Sequence, residues 1–299
     1  MLYDLRLTIS YEYEAPVAGG RHIVRVLPLN IPGLQRLVAG SVTVTPQPAE
    51  REEGTDFYGN CYSSIAFREP HEALEIGMQA RVQVEPVEQG YDLSGGPAEL
   101  GAELAALTSL GPDSPHHFLA ASPRVVLDRS IAAYARETLV PGESVIETVR
   151  RLTSRIHDDF TYDPEATKVD TTPRQAFDQR RGVCQDFTHV MISALRSLGI
   201  PAAYVSGYLR TEPPAGQERL EGADAMHAWV RAWCGDAAGW IGFDPTNDMV
   251  TGTDHITVGH GRDYADVAPV IGVLRTFGGH QTKQAVDVIP VKPATAAAG

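Results

Sequence analysis

Short runs in which apolar and polar residues tend to alternate dominate the first 90 residues of the chain. Residues 2–9 alternate in part, residues 22–27 and 41–45 are rich in β-branched side chains, and similar runs fall at 62–67 and 81–87. Gly19-Gly20, Pro32-Gly33 and Gly59-Asn60 punctuate them, the spacing of an antiparallel β-sandwich. From Asp92 to about Pro123 the composition turns to Gly, Pro, Ser and Ala, which predicts a connection with one short helix near residues 99–108. Beyond it the period lengthens to that of helices. One helix is predicted over 128–139 and a second over 144–159, with Ser144 as N-cap and Val145, Val149, Leu152 and Ile156 on one face. The predicted class is α+β: a β-sandwich over 1–95, a linker over 96–125, and a helix-and-strand domain over 126–290 ahead of a loose tail at 293–299.

The sharpest helical pattern follows Gly182-Val183-Cys184. Phe187, Val190, Met191, Ala194, Leu195 and Leu198 make one apolar stripe, and Gly199 and Pro201 stop the helix. Cys184 therefore sits at the first turn of a helix, where the partial positive charge of the backbone favours a thiolate and free N–H groups can receive an oxyanion. An acyl-transfer thiol also needs a proton donor and acceptor. Residues 226–233 alternate as a strand opened by His227, Gly235 to Gly239 read as a turn, and Trp240 to Asp244 return. The hairpin brings His227 and Asp244 together, and a carboxylate beside an imidazole sets its tautomer and steadies the imidazolium. In outline this is a papain-like site. For the oxyanion the reading expects the Cys184 N–H plus a side-chain donor, either Gln179 or Gln185.

These segments carry a specific resemblance. Gly182 to His189, Leu198 to Ala202, Met226 to Val230 and Gly242 to Asn247 closely resemble bacterial transglutaminase-like proteins, among them proposed cysteine proteases. His255-Ile256 with Gly261 to Val267 is similar as well, and Tyr11 to Tyr13 and Asp56 to Asn60 resemble the β-rich N-terminal region of the same family. The resemblance implies a transglutaminase-like second domain, with Cys184 as nucleophile, His227 as base and Asp244 orienting it. It also implies that an aromatic such as Tyr162 lines the site, and that no nucleotide or organic cofactor is used. Its members include crosslinking acyltransferases, amidases and peptidases. No acidic loop suited to calcium activation is visible.

Charge and cysteine count narrow the partners. A net charge of −13, from 25 basic and 38 acidic residues, disfavours nucleic acid. No run reaches the roughly 20 apolar residues that span a bilayer, and Asp4 and Arg6 break any apolar leader, so the expectation is a cytoplasmic protein with no membrane partner. Three cysteines without paired spacing argue against a disulfide framework or a structural metal site. His116 and His117 read as exposed loop residues, and His189 as structural. The expected function is a thiol-dependent peptidase, amidase or transglutaminase acting on a protein or peptide. The alternative is a binding or scaffold protein on the same fold.

Overall fold

The computed structural model describes residues 1–87, 90–211, 222, 224–274 and 279–291, so the tail expected at 293–299 lies outside the described residues. Six strands come first: β1 (Leu2–Val17), β2 (Gly20–Val24), β3 (Gln35–Thr45), β4 (Glu50–Thr55), β5 (Cys61–Phe67) and β6 (His71–Val84). Next are α1 (Pro97–Ala106), a 3-10 turn at Pro115–Phe118, α2 (Arg129–Arg136), α3 (Val145–Asp159), β7 (Thr161–Tyr162), α4 (Pro173–Gln179), β8 (Arg181–Gly182) and α5 (Cys184–Ser197). The remainder is β9 (Ala202–Leu209), β10 (Ala225–Trp233), β11 (Trp240–Asp244), β12 (Met249–Val250), β13 (His255–Gly261), α6 (Tyr264–Val267), β14 (Val270–Leu274) and β15 (His280–Pro290). Among the described residues, no helix is long and apolar enough to cross a membrane.

Two antiparallel sheets, in the orders β15-β1-β6-β3 and β14-β2-β5-β4, share one apolar core. Alternation explains how: Tyr3, Leu5, Leu7 and Ile9 of β1 point inward and are buried, and Val24, Ile65, Phe67 and Ile76 meet them. The sequence reading has no counterpart for β4. Its residues, Glu50-Arg51-Glu52-Glu53-Gly54-Thr55, bury no apolar side chain because β4 lies at the sheet margin, where charge is what keeps an edge strand from pairing further.

The expected domain limits need correcting at both ends of the second unit. α1 lies inside the predicted linker, but Leu100, Leu104 and Val125 are buried in the helical core, so 96–125 is largely packed structure. At the far end, β14 pairs with β2 and β15 pairs along β1 from Tyr3↔Pro290 to Tyr13↔His280. The chain thus returns to the sandwich before residue 290. Alternation announces a strand but not its partner, and here the partners lie at opposite ends of the chain. Burial of Val286 and Val288 anchors the return, each worth about 1.5–3 kcal/mol.

Between those passages, α5 packs against the five-stranded antiparallel sheet β12-β11-β10-β9-β13 and against α2, α3 and α4. It is buried on every side from Asp186 to Arg196, so its polar residues need internal partners. Ser193 donates to the Val126 carbonyl at 2.8 Å, and Arg196 donates to the carbonyls of Ala120, Ala202 and Arg262. These bonds hold α5, and with it Cys184, in a fixed place.

The sheet's margin β13 meets the sandwich through two amide side chains. Asn60 both donates to the His260 carbonyl and accepts from its N–H, each at 2.8 Å. Gln35 does the same for Thr257, also at 2.8 Å each way. Tyr208, fully buried, adds a 2.6 Å bond from its hydroxyl to the Val26 carbonyl.

Candidate active site

α5 begins at Cys184, as the apolar stripe predicts, and its first turn is built by three residues around the thiol. The buried carboxylate of Asp186 accepts the Val183 N–H at 2.9 Å and the Thr167 hydroxyl at 2.6 Å. Burial nevertheless holds the pKa of Asp186 above the usual carboxylate range. Gly182 is required here by space: a Cβ on it would lie 2.5 Å from Asp186 Oδ2. As first-turn groups, the N–H groups of Cys184 and Gln185 have no acceptor within the helix. Cys184 itself is half-buried, whereas Cys61 is exposed and Cys234 is buried; no two of them are bonded. Burial pushes the Cys234 thiol up to about 12, in keeping with a packing role.

The hairpin supplies the second half. β10 and β11 pair with Trp233 opposite Trp240 and Val230 opposite Phe243, so the next pair on is Trp229 and Asp244. Alternation then sets His227, Trp229 and Asp244 on one face and feeds Ala228, Val230 and Phe243 into the core. His227 Nε2 lies 2.7 Å from Asp244 Oδ2, which leaves Nδ1 for Cys184, and the thiol is within hydrogen-bonding reach of that ring. Burial by itself would lower the pKa of His227. Hydrogen bonds to Asp244 and Cys184, with the attraction of both, outweigh it and raise the imidazole to about 10.

Asp244 is fully buried and held by five donors. Oδ1 accepts the backbone N–H groups of Thr246 at 2.9 Å and Asn247 at 3.2 Å. Oδ2 takes, besides His227, the Asn247 amide at 2.7 Å and His255 Nε2 at 3.2 Å. Burial would raise its pKa, but these donors prevail and hold it far below the carboxylate range. From sequence, Asn247 is equally a turn residue or a hydrogen-bonding neighbour of the site, and His255 and His260 are residues that could approach the cleft after the Asp244 strand without a catalytic role. The signal for Asn247 is its position three residues past Asp244, where a turn folds its side chain back. His255 arrives from β13; its place after the Asp244 strand and in the resembling tail brings it near the cleft, but no local signal gives its bond to Asp244. The Gly252 N–H points at its Nδ1, so the ring proton sits on Nε2 and is donated to Asp244. Trp229 completes the wall, with ring centroids 6.1 Å from His227 and 5.1 Å from His255. Gly207 makes room for it, since a Cβ there would meet Trp229 and the Ile256 carbonyl.

The ring nitrogens of His227 and His255 and an oxygen of Asp244 all lie within 4.8 Å of one another, a donor set that could hold a divalent cation. In this arrangement both Nε2 atoms are committed to Asp244 by hydrogen bonds.

Of the oxyanion and cleft candidates, Tyr162 pairs beside Gly182 in the β7–β8 ladder, and its hydroxyl is near enough to Cys184 that burial and the thiol's charge both raise its pKa. Gln185 turns away, its amide donating to the Val169 carbonyl at 3.0 Å. Gln179 is exposed on the last turn of α4 and makes no described hydrogen bond to the site. His189 is buried, and its Nε2 accepts the Tyr264 N–H at 3.2 Å; burial lowers its pKa to about 4. His260 faces Asp113 and Tyr58 instead of the thiol. His116 and His117 are half-buried, not exposed, with Nε2 atoms bonded to the carbonyls of Leu107 and Leu110.

A Cys-bearing helix start facing a His-Asp hairpin, on a sandwich-plus-sheet fold, defines a class, and the comparisons agree with it. Residues 132–245 match the transglutaminase-like superfamily and residues 3–83 the bacterial transglutaminase-like N-terminal region. An uncharacterized protein of Mycobacterium tuberculosis is 40% identical over 261 residues, which are 86% of this chain and 82% of that protein. One of Mycobacterium leprae is 30% identical over 283 residues, 93% and 95% of the two chains. The crystal structure of a proposed cysteine protease from Cytophaga hutchinsonii superposes with a TM-score of 0.77 over 99% of this chain and 92% of that one, at 24% identity. The chain belongs to the transglutaminase-like superfamily, with the bacterial N-terminal region as its sandwich.

Proposed function

We propose that the protein is a thiol-dependent acyl-transfer enzyme acting on amide bonds, with Cys184 as nucleophile, His227 as acid and base, and Asp244 as the group that orients it. The observation that carries this reading is the single imidazole placed between a thiol at a helix start and a buried carboxylate, 2.7 Å from the latter. The Cys184 thiolate attacks the amide carbonyl, and the oxyanion is received by backbone N–H groups of the first turn of α5. With the Gln185 side chain held on Val169, its backbone N–H remains the second donor. His227 then gives its Nδ1 proton to the departing amine, leaving a thioester. Water, deprotonated by His227, releases the acid and restores the thiol.

Hydrolysis is favoured over transfer to an amine because the cleft is open: Cys184 is half-buried and Tyr162 beside it is 56% exposed. The test uses a peptide library and a thiol-reactive activity probe on the wild type and Cys184→Ala. The variant should lose labelling and at least about 10³-fold in amide turnover. Undiminished turnover by Cys184→Ala sinks the reading.

A further inference from the structure

A cavity of about 660 Å³ opens where the helical unit meets the sandwich. Tyr11, Tyr13, His22 and His280 line it from the sandwich sheets, and Arg124, Val169 and Tyr264 from the other side. Two of these residues tie it to the thiol. Val169 holds the side chain of Gln185, the residue after Cys184. The Tyr264 hydroxyl, raised chiefly by burial, is opposed by the charge of Arg124 and pushed further up by that of Cys184, so it is within electrostatic reach of both.

The lining has a distinct charge. In a chain with 38 acidic residues, no carboxylate lines this cavity among the described residues, whereas one arginine and two histidines do. The guanidinium of Arg124 has no ion pair among the described residues; only its backbone N–H is engaged, by Asp263 Oδ2 at 2.6 Å. Asp263, the adjacent acid, gives its other oxygen to the Ala265 N–H. His22 is only 3% exposed, yet neither ring nitrogen has a hydrogen-bond partner. Buried polar groups are ordinarily satisfied, so an unpartnered imidazole on a cavity wall points to a ligand that supplies the partner. Tyrosine rings add flat apolar surface on which a peptide side chain can lie.

We infer that this cavity is the specificity subsite for an acidic peptide, whose carboxylate pairs with Arg124 while a neighbouring apolar side chain lies on Tyr11, Tyr13 and Tyr264. The inference rests on the reading of Cys184 as nucleophile, since it supposes a peptide presented to that thiol. It also gives the N-terminal sandwich a direct part in choosing substrate.

Binding separates the two claims. Short capped peptides, each with a central glutamine flanked by Phe-Glu, Phe-Gln or Phe-Lys, are titrated calorimetrically into the Cys184→Ala chain, which binds without turning over. The Glu set should bind about tenfold more tightly than the Gln set, as a charge-assisted pair in a partly buried site provides, and the Lys set more weakly still. Arg124→Met should bring the Glu and Gln sets level, and Arg124→Lys should keep part of the preference. Tyr11→Leu should weaken all three sets alike. Equal binding of the Glu and Gln sets, a preference that survives Arg124→Met, or no binding by any set overturns the subsite. If the thiol reading fails instead, the Glu preference persists in the wild type with no turnover.

Discussion

His255 donates its Nε2 proton to Asp244 Oδ2, the same oxygen that takes His227, so one buried carboxylate oxygen is shared by two imidazoles. A carboxylate relieved of one donor is more basic and holds an imidazolium more tightly. His255→Phe should therefore move the alkaline limb of Cys184 alkylation to higher pH, measured with iodoacetamide and mass spectrometry. It should also lower unfolding stability by about 1–3 kcal/mol, because the Gly252 N–H and Asp244 lose a partner. An alkylation profile that does not move at all refutes the link between His255 and the dyad.

Asp244 and His227 set opposite limits on stability as pH changes. The folded Asp244 titrates far below its ordinary 3.8, so its contribution is present above that value and is lost as pH falls. His227 is raised from 6.5 to about 10, so its contribution is complete below 6.5 and is lost as pH rises through about 10. The melting temperature of the wild type should thus exceed that of Asp244→Asn most between pH 3.8 and 6.5, and the gap should narrow on both sides. A gap independent of pH would show that the two groups are not electrostatically paired.

Gly182 keeps the Asp186 carboxylate seated at the start of α5. In Gly182→Ala the new methyl group displaces it, and the bonds to Val183 and Thr167 loosen. Loss of about 1–3 kcal/mol is expected in urea unfolding, with slower alkylation of Cys184. Stability within about 0.5 kcal/mol of the wild type means that the loop yields without effect.

Asn60 supplies both partners of one backbone residue on β13, His260. Asn60→Ala strands a buried donor and a buried acceptor together, a loss of about 2–4 kcal/mol. Asn60→Asp restores the acceptor but sets a buried carboxylate against the His260 carbonyl and Asp56 Oδ2, and should be no more stable than Asn60→Ala. Equal stability of all three chains in chemical denaturation would place water, not Asn60, at that seam.

Local signals in the sequence announce the helix start and hairpin that bear the candidate site, and their short reach explains what they miss. The Phe187–Leu198 stripe after Gly182 locates α5 because helix period and steric need are both local. The Met226–Asp244 hairpin is equally legible, its turn falling between two aromatic strands. Asn247 is half-legible from its place after Asp244. His255 is legible only as a neighbour of the cleft; its bond to Asp244 depends on β13 folding back beside β9, a pairing that no short window encodes. The positions of the Gln179 and Gln185 side chains likewise depend on distant groups, Val169 holding the second while the first is exposed, and neither makes a described bond at the thiol. β4 escaped because its charges suit an edge, and β14 and β15 because alternation does not say which sheet will accept a strand.

The return of β15 to β1 changes how the two units can move. A domain strung after another swings on one linker, but here the chain crosses the seam twice, once ahead of α1 and again at β14. Two covalent passages, with the amide seams at Gln35 and Asn60, restrict the swing that a single linker would allow, so the sandwich and the thiol-bearing unit are tied at both ends of the latter.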